Sequence, residues 1–164
     1  VFYNGVTASD MDTPGGLKKL GIEHIKPIVT RGVLVDVATY KGVRTLPNSY
    51  EVTVKDVRGA LALQGISEES LKPGDAVEVA KWAVSHELSL IGSDSWCTEV
   101  VPNPDASLAF PVHQELMMKT GLLNIESLKF DTLIEDKISE FLFILTPIPF
   151  KGASGSPARP IAIG

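Results

Sequence analysis

The hydrophobic and polar residues of this chain follow two periods, and each period predicts a different kind of element. Short apolar or alternating runs are typical of β-strands, whereas apolar residues that recur every three or four positions are typical of amphipathic helices. Strands are expected at residues 31–38, 76–80, 88–91, 122–127 and 141–146. The two main helices are expected at residues 54–64 and 111–120, with shorter helical segments near 17–20 and 129–137. This mixture predicts a protein of the α/β class.

The ends of the two main helices carry recognisable signals. Thr53 and Asp56 resemble a capping box in which Asp replaces the usual Glu. Pro111 suits the first position of a helix, because its missing N–H would be unpaired there anyway. Gly121 suits the left-handed residue at which a helix stops.

One carboxylate, that of Asp36, lies inside the otherwise apolar strand expected at residues 31–38. A charged group in such a strand must be paired or hydrogen-bonded, because burying it alone is costly. Arg31 lies in the same segment, so we expect Asp36 to pair with it.

The strands expected at residues 76–80 and 88–91 are separated by only seven residues. A crossover between parallel strands usually needs about a dozen residues or more. Either these strands are not joined by a simple crossover, or residues are absent from the sequence.

A helix and a strand that reverse at Gly121 give the first candidate for chemistry. From His113 to Gly121 a helix rises by about 12 Å, and from Leu122 to Glu126 a strand covers about 13 Å. The two distances cancel, so Glu126 returns to the level of His113. An imidazole and a carboxylate placed in this way suit a metal site or an acid/base pair. The alternative is a surface histidine and a strand-end glutamate that never meet.

Composition narrows the range of functions. A chain of 164 residues predicts a single domain over 1–164. The net charge of -5 and the scattered Lys and Arg residues argue against nucleic-acid binding. The longest apolar run, at residues 141–145, is far shorter than the roughly 20 residues of a membrane span. We therefore expect no nucleic-acid partner and no membrane partner.

Cys97 is the single cysteine, so an internal disulfide is excluded. This composition fits a reducing compartment and predicts a cytoplasmic location. A role for Cys97 as a small buried hydrophobe is favoured over a role as a nucleophile.

The tail at residues 151–160 is rich in Gly, Ser and Pro. Such a loop can present backbone N–H groups to an anion. It lacks the lysine spacing and the following helix of a nucleotide phosphate loop, so that site is excluded. Gly152 and Gly155 are expected to hold backbone conformations that a Cβ atom would oppose.

Several segments, taken in order, resemble the cyclase family of metal-dependent hydrolases, which includes kynurenine formamidase and isatin hydrolase. The matching segments are Phe2-Tyr3-Asn4-Gly5, Arg31-Gly32-Val33-Leu34-Val35-Asp36, Gly74-Asp75-Ala76-Val77, Ile91-Gly92-Ser93-Asp94 with Glu99, Val112-His113, Glu126-Ser127-Leu128, Glu140-Phe141-Leu142-Phe143 and Gly152-Ala153-Ser154-Gly155-Ser156-Pro157-Ala158-Arg159-Pro160-Ile161-Ala162.

This resemblance implies a swivelling β/β/α domain with a mixed sheet, a bound divalent metal (zinc or manganese) and hydrolysis of a small-molecule amide. It implies that the protein is a homo-oligomer. His113 and Glu126 correspond to the two metal ligands that the family takes from its C-terminal half, and Glu126 is the candidate catalytic residue. Apart from the resemblance, Phe2 and Tyr3 form an aromatic pair that runs into a turn, and they are the candidate substrate-binding residues; the alternative is a loop anchored on the core.

The sequence departs from the family pattern in two places. The family carries further ligands upstream in the motif His-x-Gly-Thr-His-x-Asp, which this sequence does not contain. At Ala80-Lys81 the family runs into Thr-Gly-Trp and a long active-site segment, whereas this chain continues directly to Trp82. We therefore expect the domain to be incomplete at the N-terminus and around residues 80–81. An amide hydrolase is the first interpretation, and a non-catalytic scaffold that binds a ligand or partner is the alternative.

Overall fold

The computed structural model describes residues 3–11, 13–67 and 76–164. The chain divides into two compact units, Val1–Leu34 with Lys137–Gly164 and Val35–Asp136. The strands are β1 (Ile28–Val33), β2 (Leu90–Gly92), β3 (Leu123–Ile125), β4 (Glu140–Leu145) and β5 (Ile161–Ile163). The helices are α1 (Ala8–Met11), α2 (Val37–Tyr40), α3 (Val54–Leu63), α4 (Ala76–Ser85), α5 (Pro111–His113) and α6 (Asp131–Glu135).

The first unit contains an antiparallel sheet of three strands in the order β1-β4-β5. Thr30 pairs with Phe143, which pairs in turn with Ala162. Short 3-10 turns lie at Tyr3–Gly5 and Ile22–His24. The helix expected near residues 17–20 is wrong, because residues 18–20 form a bend.

The second unit contains a parallel pair of strands and most of the helices. Leu90 of β2 pairs with Leu123 of β3, and Gly92 pairs with Ile125. Helix α5 continues into a π-helical turn at Gln114–Met118, in which Leu116 is fully buried. The unit therefore combines a parallel sheet with helices, and the first unit adds an antiparallel sheet, as expected for an α/β chain.

Most elements match their predicted positions within a few residues. Helix α3 confirms the segment expected at 54–64, and α5 with its π-helical turn confirms the one expected at 111–120. Strands β2, β3 and β4 lie at three of the expected strand positions, and α6 lies within 129–137. Among the described residues, no helix has the length and apolar character needed to cross a membrane.

The strand expected at 76–80 is wrong, because these residues begin α4. Within this helix Ala80, Trp82 and Ala83 are buried, and Ala80 and Ala83 are at most 1% exposed. Alternation over five residues fits a short strand, but the next five residues extend the apolar spacing of a helix, and alanine favours helices. The problem of the short crossover disappears, since β2 is not preceded by a strand at 76–80.

The expected pairing of Asp36 with Arg31 is wrong, because β1 ends at Val33 and Asp36 caps α2. The Asp36 carboxylate accepts hydrogen bonds from the Thr39 backbone N–H (2.9 Å) and from the Thr39 hydroxyl (2.6 Å). Arg31 instead donates to Glu140 on the neighbouring strand, with 2.9 Å between Nε and Oε2. The carboxylate is satisfied locally at a helix start and needs no partner within a strand.

The capping box predicted at Thr53 is present. The Thr53 hydroxyl accepts from the Asp56 N–H, and the Asp56 carboxylate accepts from the Thr53 N–H at 3.0 Å. Asp56 also pairs with the Lys41 ammonium and accepts a hydrogen bond from the Tyr50 hydroxyl at 3.0 Å. This buried carboxylate therefore joins the start of α3 to the residue that follows α2.

The prediction for the tail glycines is confirmed for Gly152 and wrong for Gly155. Gly152 has φ +74°, and a Cβ there would lie 2.9 Å from the Gly15 carbonyl oxygen. Its own carbonyl accepts a hydrogen bond from the Leu17 N–H at 2.8 Å, so two backbones meet closely. A Cβ on Gly155 would have no described atom within 4 Å, and its φ is not positive.

Candidate metal centre

The candidate site lies in the second unit, at the carboxyl ends of the parallel strands β2 and β3. Glu126 directly follows β3, and the segment after β2 carries Cys97 and Glu99. Backbone hydrogen bonds continue beyond the strands, from Ser93 N–H to Ile125 O at 3.0 Å and from Ser127 N–H to Ser95 O at 2.9 Å. Because the carboxyl ends of parallel strands meet at one edge, these loops bring their polar side chains together.

The structure brings His113 and Glu126 together, as the lengths of the helix and strand predict. The distance between His113 Nε2 and Glu126 Oε1 is 3.5 Å, and both side chains are about one-third exposed or less. His113 ends α5, and the chain reverses at Gly121, which has φ +71°. The imidazole and the carboxylate therefore share one solvent-accessible point.

Glu99 holds the His113 ring from the other side. Its Oε1 lies 2.8 Å from His113 Nδ1 and accepts a hydrogen bond from the His113 backbone N–H at 2.6 Å. Its Oε2 accepts from the Val112 N–H at 3.2 Å, and the side chain is only 1% exposed. An Nδ1–H that donates to Glu99 leaves the lone pair of the neutral imidazole on Nε2, where it faces Glu126.

Glu126 is held in its ionised form by donors on one oxygen. The Thr98 N–H and the Thr98 hydroxyl both lie 2.7 Å from Oε1, and the Asn124 amide nitrogen lies 3.0 Å from it. Burial raises the pKa of the Glu126 carboxyl, but the hydrogen bonds from Thr98 and Asn124, together with the charge of His113, outweigh burial and lower it. The carboxylate is therefore negatively charged at neutral pH.

Cys97 completes a group of three metal-ligand side chains with His113 and Glu126. One ligand atom from each residue lies within 4.8 Å of the others, and this is the one such group among the residues that the structure describes. Burial and the nearby carboxylates of Glu126 and Glu99 raise the pKa of the thiol, despite a hydrogen bond from the Glu99 backbone. A bound cation would reverse that effect, because it favours the thiolate.

The donor set fits a divalent cation. His113 Nε2 and Glu126 Oε1 lie 3.5 Å apart. In a tetrahedral zinc site, nitrogen and oxygen ligands with ordinary bond lengths lie about 3.4 Å apart. The orientation of His113 by Glu99 is also the usual arrangement of a metal-bound histidine and its carboxylate partner. A Cys/His/Glu cluster of this kind could hold a metal ion, and its geometry does not identify the metal.

The remaining candidate residues are Phe2 and Tyr3, and the chain has two further histidines, His24 and His86. Phe2 lies outside the described residues, and Tyr3 begins a 3-10 turn in the first unit with 40% of its surface exposed. His24 lies 3.9 Å from Glu23, and His86 Nδ1 lies 2.7 Å from the Trp82 carbonyl oxygen. The role of Phe2 and Tyr3 in substrate binding stays a prediction.

Sequence reasoning gave no supporting role to Glu99, Thr98 or Asn124, although Glu99 belongs to a segment that resembles the family. One signal was available for Asn124, because the alternation around β3 places it on the same face as Glu126. Glu99 and Thr98 lie in a segment without regular structure, where spacing does not predict contacts.

Comparisons with known proteins place this geometry in context. The sequence matches no protein-family model and no curated protein. The structure is similar to a crystal structure of a novel cyclase, with a TM-score of 0.82 and 30% sequence identity. The similarity covers 99% of this chain and 63% of the cyclase chain, so the chain spans less than two thirds of that protein's length. The mixed α/β fold, with its antiparallel and parallel sheets, therefore matches a cyclase fold.

Proposed function

We propose that this chain, whose fold matches that of a cyclase, belongs to a metal-dependent hydrolase that cleaves an amide, either a cyclic amide or a formamide. The observation that carries the proposal is the line of side chains Glu99–His113–Glu126, in which a buried carboxylate orients an imidazole toward a second, ionised carboxylate. The structural similarity to a cyclase supports it. The sequence resemblance to the kynurenine formamidase and isatin hydrolase family supplies the reaction class.

In this proposal the side chains of the site bind a metal ion and hold one another in position. His113 offers Nε2 as a ligand, while Glu99 fixes the plane of the ring and keeps the proton on Nδ1. Glu126 offers a carboxylate whose charge Thr98 and Asn124 stabilise, so that it binds a cation at neutral pH instead of a proton. A bound zinc or manganese ion would supply Lewis acidity and would lower the pKa of a coordinated water toward about 7.

Two further assignments rest on the family resemblance alone, namely assembly into a homo-oligomer and a swivelling domain. Contact of Phe2 and Tyr3 with the substrate is expected from their aromatic pair, and a cytoplasmic location is expected from the single cysteine. They remain predictions. The rival function, a cyclase-like scaffold that binds a ligand without catalysis, predicts a different outcome in the experiment below.

The experiment measures metal content and hydrolysis in the purified protein. We expect about one metal ion per chain after dialysis, and turnover of a formamide or a cyclic amide. His113→Ala and Glu126→Ala should each lose metal and activity, and both should keep the parental circular dichroism spectrum. His24→Ala is the matched control, because this histidine is 61% exposed and lies beside Glu23. Absence of metal from the parent, with no change in either variant, would favour the scaffold.

A further inference from the structure

We infer that Cys97 is the third protein ligand of this metal centre, and that its thiolate makes the centre select zinc over manganese. This inference rests on the proposed function and adds a ligand and a metal preference to it. The sequence alone favours Cys97 as a packing residue. The structure instead places its sulfur in one group with the nitrogen of His113 and an oxygen of Glu126.

The spacing of the three ligand atoms fits one ion. In a tetrahedral zinc site, sulfur and nitrogen ligands lie about 3.6 Å apart. The atoms of Cys97, His113 and Glu126 all lie within 4.8 Å of one another. Side-chain movements of about one ångström would therefore bring all three onto a common ion, with the fourth position left for water or substrate.

The neighbouring polar residues already have other roles. Both oxygens of Glu99 accept hydrogen bonds from residues 112–113, and the Thr98 hydroxyl and the Asn124 amide bond to Glu126. Among the described residues, Cys97 is therefore the side chain that can add a third strong ligand to the pair. Catalytic zinc sites typically use three protein ligands and an open position, which this set would provide.

The sulfur decides which metal is preferred. Thiolate is a soft ligand that suits zinc, whereas manganese prefers carboxylate, carbonyl and water oxygens. Manganese also binds most weakly among the divalent first-row metals. On binding, the Sγ–H bond breaks, the proton passes to solvent, and the sulfur electron pair forms the bond to the metal.

Cobalt(II) is the probe that tests this inference directly. Chelator-treated protein is titrated with cobalt chloride, and binding is measured by equilibrium dialysis and by absorption. A cobalt–thiolate bond gives a charge-transfer band in the near ultraviolet, while the visible ligand-field bands report coordination whatever the ligands are. Since Cys97 is the single cysteine of the chain, a charge-transfer band can arise from no other residue.

We expect the parent to show both sets of bands, and Cys97→Ser to lose the charge-transfer band while still binding cobalt. Zinc affinity should fall by about 100-fold or more in this variant, since loss of an outer-shell partner alone costs about 10–100-fold. Manganese affinity should change little, so the preference for zinc over manganese should shrink.

Other results of the cobalt titration distinguish the role of Cys97 from the proposed hydrolase. Cobalt binding without a charge-transfer band in the parent overturns the role of Cys97 and leaves the proposed hydrolase intact. No cobalt binding at all overturns both. Should Cys97→Ser fail to fold, alkylation of the parent decides: zinc should protect Cys97 from iodoacetamide, and His113→Ala should abolish the protection. Equal alkylation rates with and without zinc would overturn the inference.

Discussion

Glu99 binds His113 twice through a single oxygen, since Oε1 contacts both the ring Nδ1 at 2.8 Å and the backbone N–H at 2.6 Å. The same carboxylate fixes the position of the residue and the rotation of its ring. Because the Glu99 side chain is 1% exposed, solvent competes little with these bonds. Glu99 is therefore a positioning residue for the candidate ligand.

We expect Glu99→Gln to weaken zinc binding by about 10-fold or more, because the imidazole loses the charge that orients it. The measurement is competition for zinc with a chromophoric chelator. Glu115→Gln is the matched control, since it removes the same charge two residues from His113 but from a carboxylate that pairs with Lys119. Parental affinity in Glu99→Gln would show that the ring is held by other contacts.

The Asp56 carboxylate predicts how stability depends on pH. Burial raises its pKa, but hydrogen bonds from Lys41, Thr53 and Tyr50 outweigh burial and lower it from 3.8 to about 2. A lowered folded-state pKa stabilises the fold above the unfolded value, and this contribution disappears as the pH falls from about 4 to about 2. It amounts to about 2 kcal/mol.

Chemical denaturation across this pH range measures the effect. Asp56→Asn should be less stable than the parent at pH 7 and should show a flatter decline in acid. Asp131→Asn serves as the control, because Asp131 is 64% exposed and should leave the decline unchanged. The same slope in Asp56→Asn and in the parent would contradict the role given to this carboxylate.

Gly152 and Gly155 form a natural pair for testing backbone strain. Gly152→Ala should lower the free energy of unfolding by about 1–3 kcal/mol, because φ is positive and the Cβ would collide with the backbone at Gly15. Gly155→Ala should be neutral or slightly stabilising, since its Cβ has room and the unfolded chain loses entropy. Thermal unfolding of both variants distinguishes them, and equal losses would contradict the difference.

Asp36→Ala should destabilise the chain by about 1 kcal/mol, because it removes the carboxylate that caps α2. Arg31→Ala should cost less, since the Arg31–Glu140 pair is about half exposed and such surface pairs contribute little. Melting temperatures give the ranking. The opposite order would favour a buried role for Arg31.

Part of the candidate site follows from the sequence and part does not. His113 and Glu126 belong to one continuous helix–strand unit, so their approach follows from the rise per residue of two regular elements. Glu99 and Cys97 reach the site along an irregular loop, whose path depends on tertiary hydrogen bonds such as that from Ser127 to Ser95. Periodicity contains no information about such a path.

The elements of the fold also divide into those that the sequence predicts and those that it does not. Helix α3 was predictable because its cap and its apolar period agree, whereas the start of α4 carries an alternation that fits a strand when read alone. Only seven residues separate 76–80 from the strand expected at 88–91, and this is too few for a parallel crossover. The short connection therefore argued against a strand at 76–80. Strand β5 is only three residues long, and its place beside β4 depends on pairing that a short apolar run does not specify.

The bonds from Glu99 to residues 112–113 also close the loop at residues 100–110 at its base. The closure entropy of such a loop rises by only about 0.6 kcal/mol for each doubling of its length. Insertions and deletions within it would therefore leave both ends, and the ring of His113, in place. This loop is the segment in which evolution or an engineer can alter what approaches the site without rebuilding the site itself.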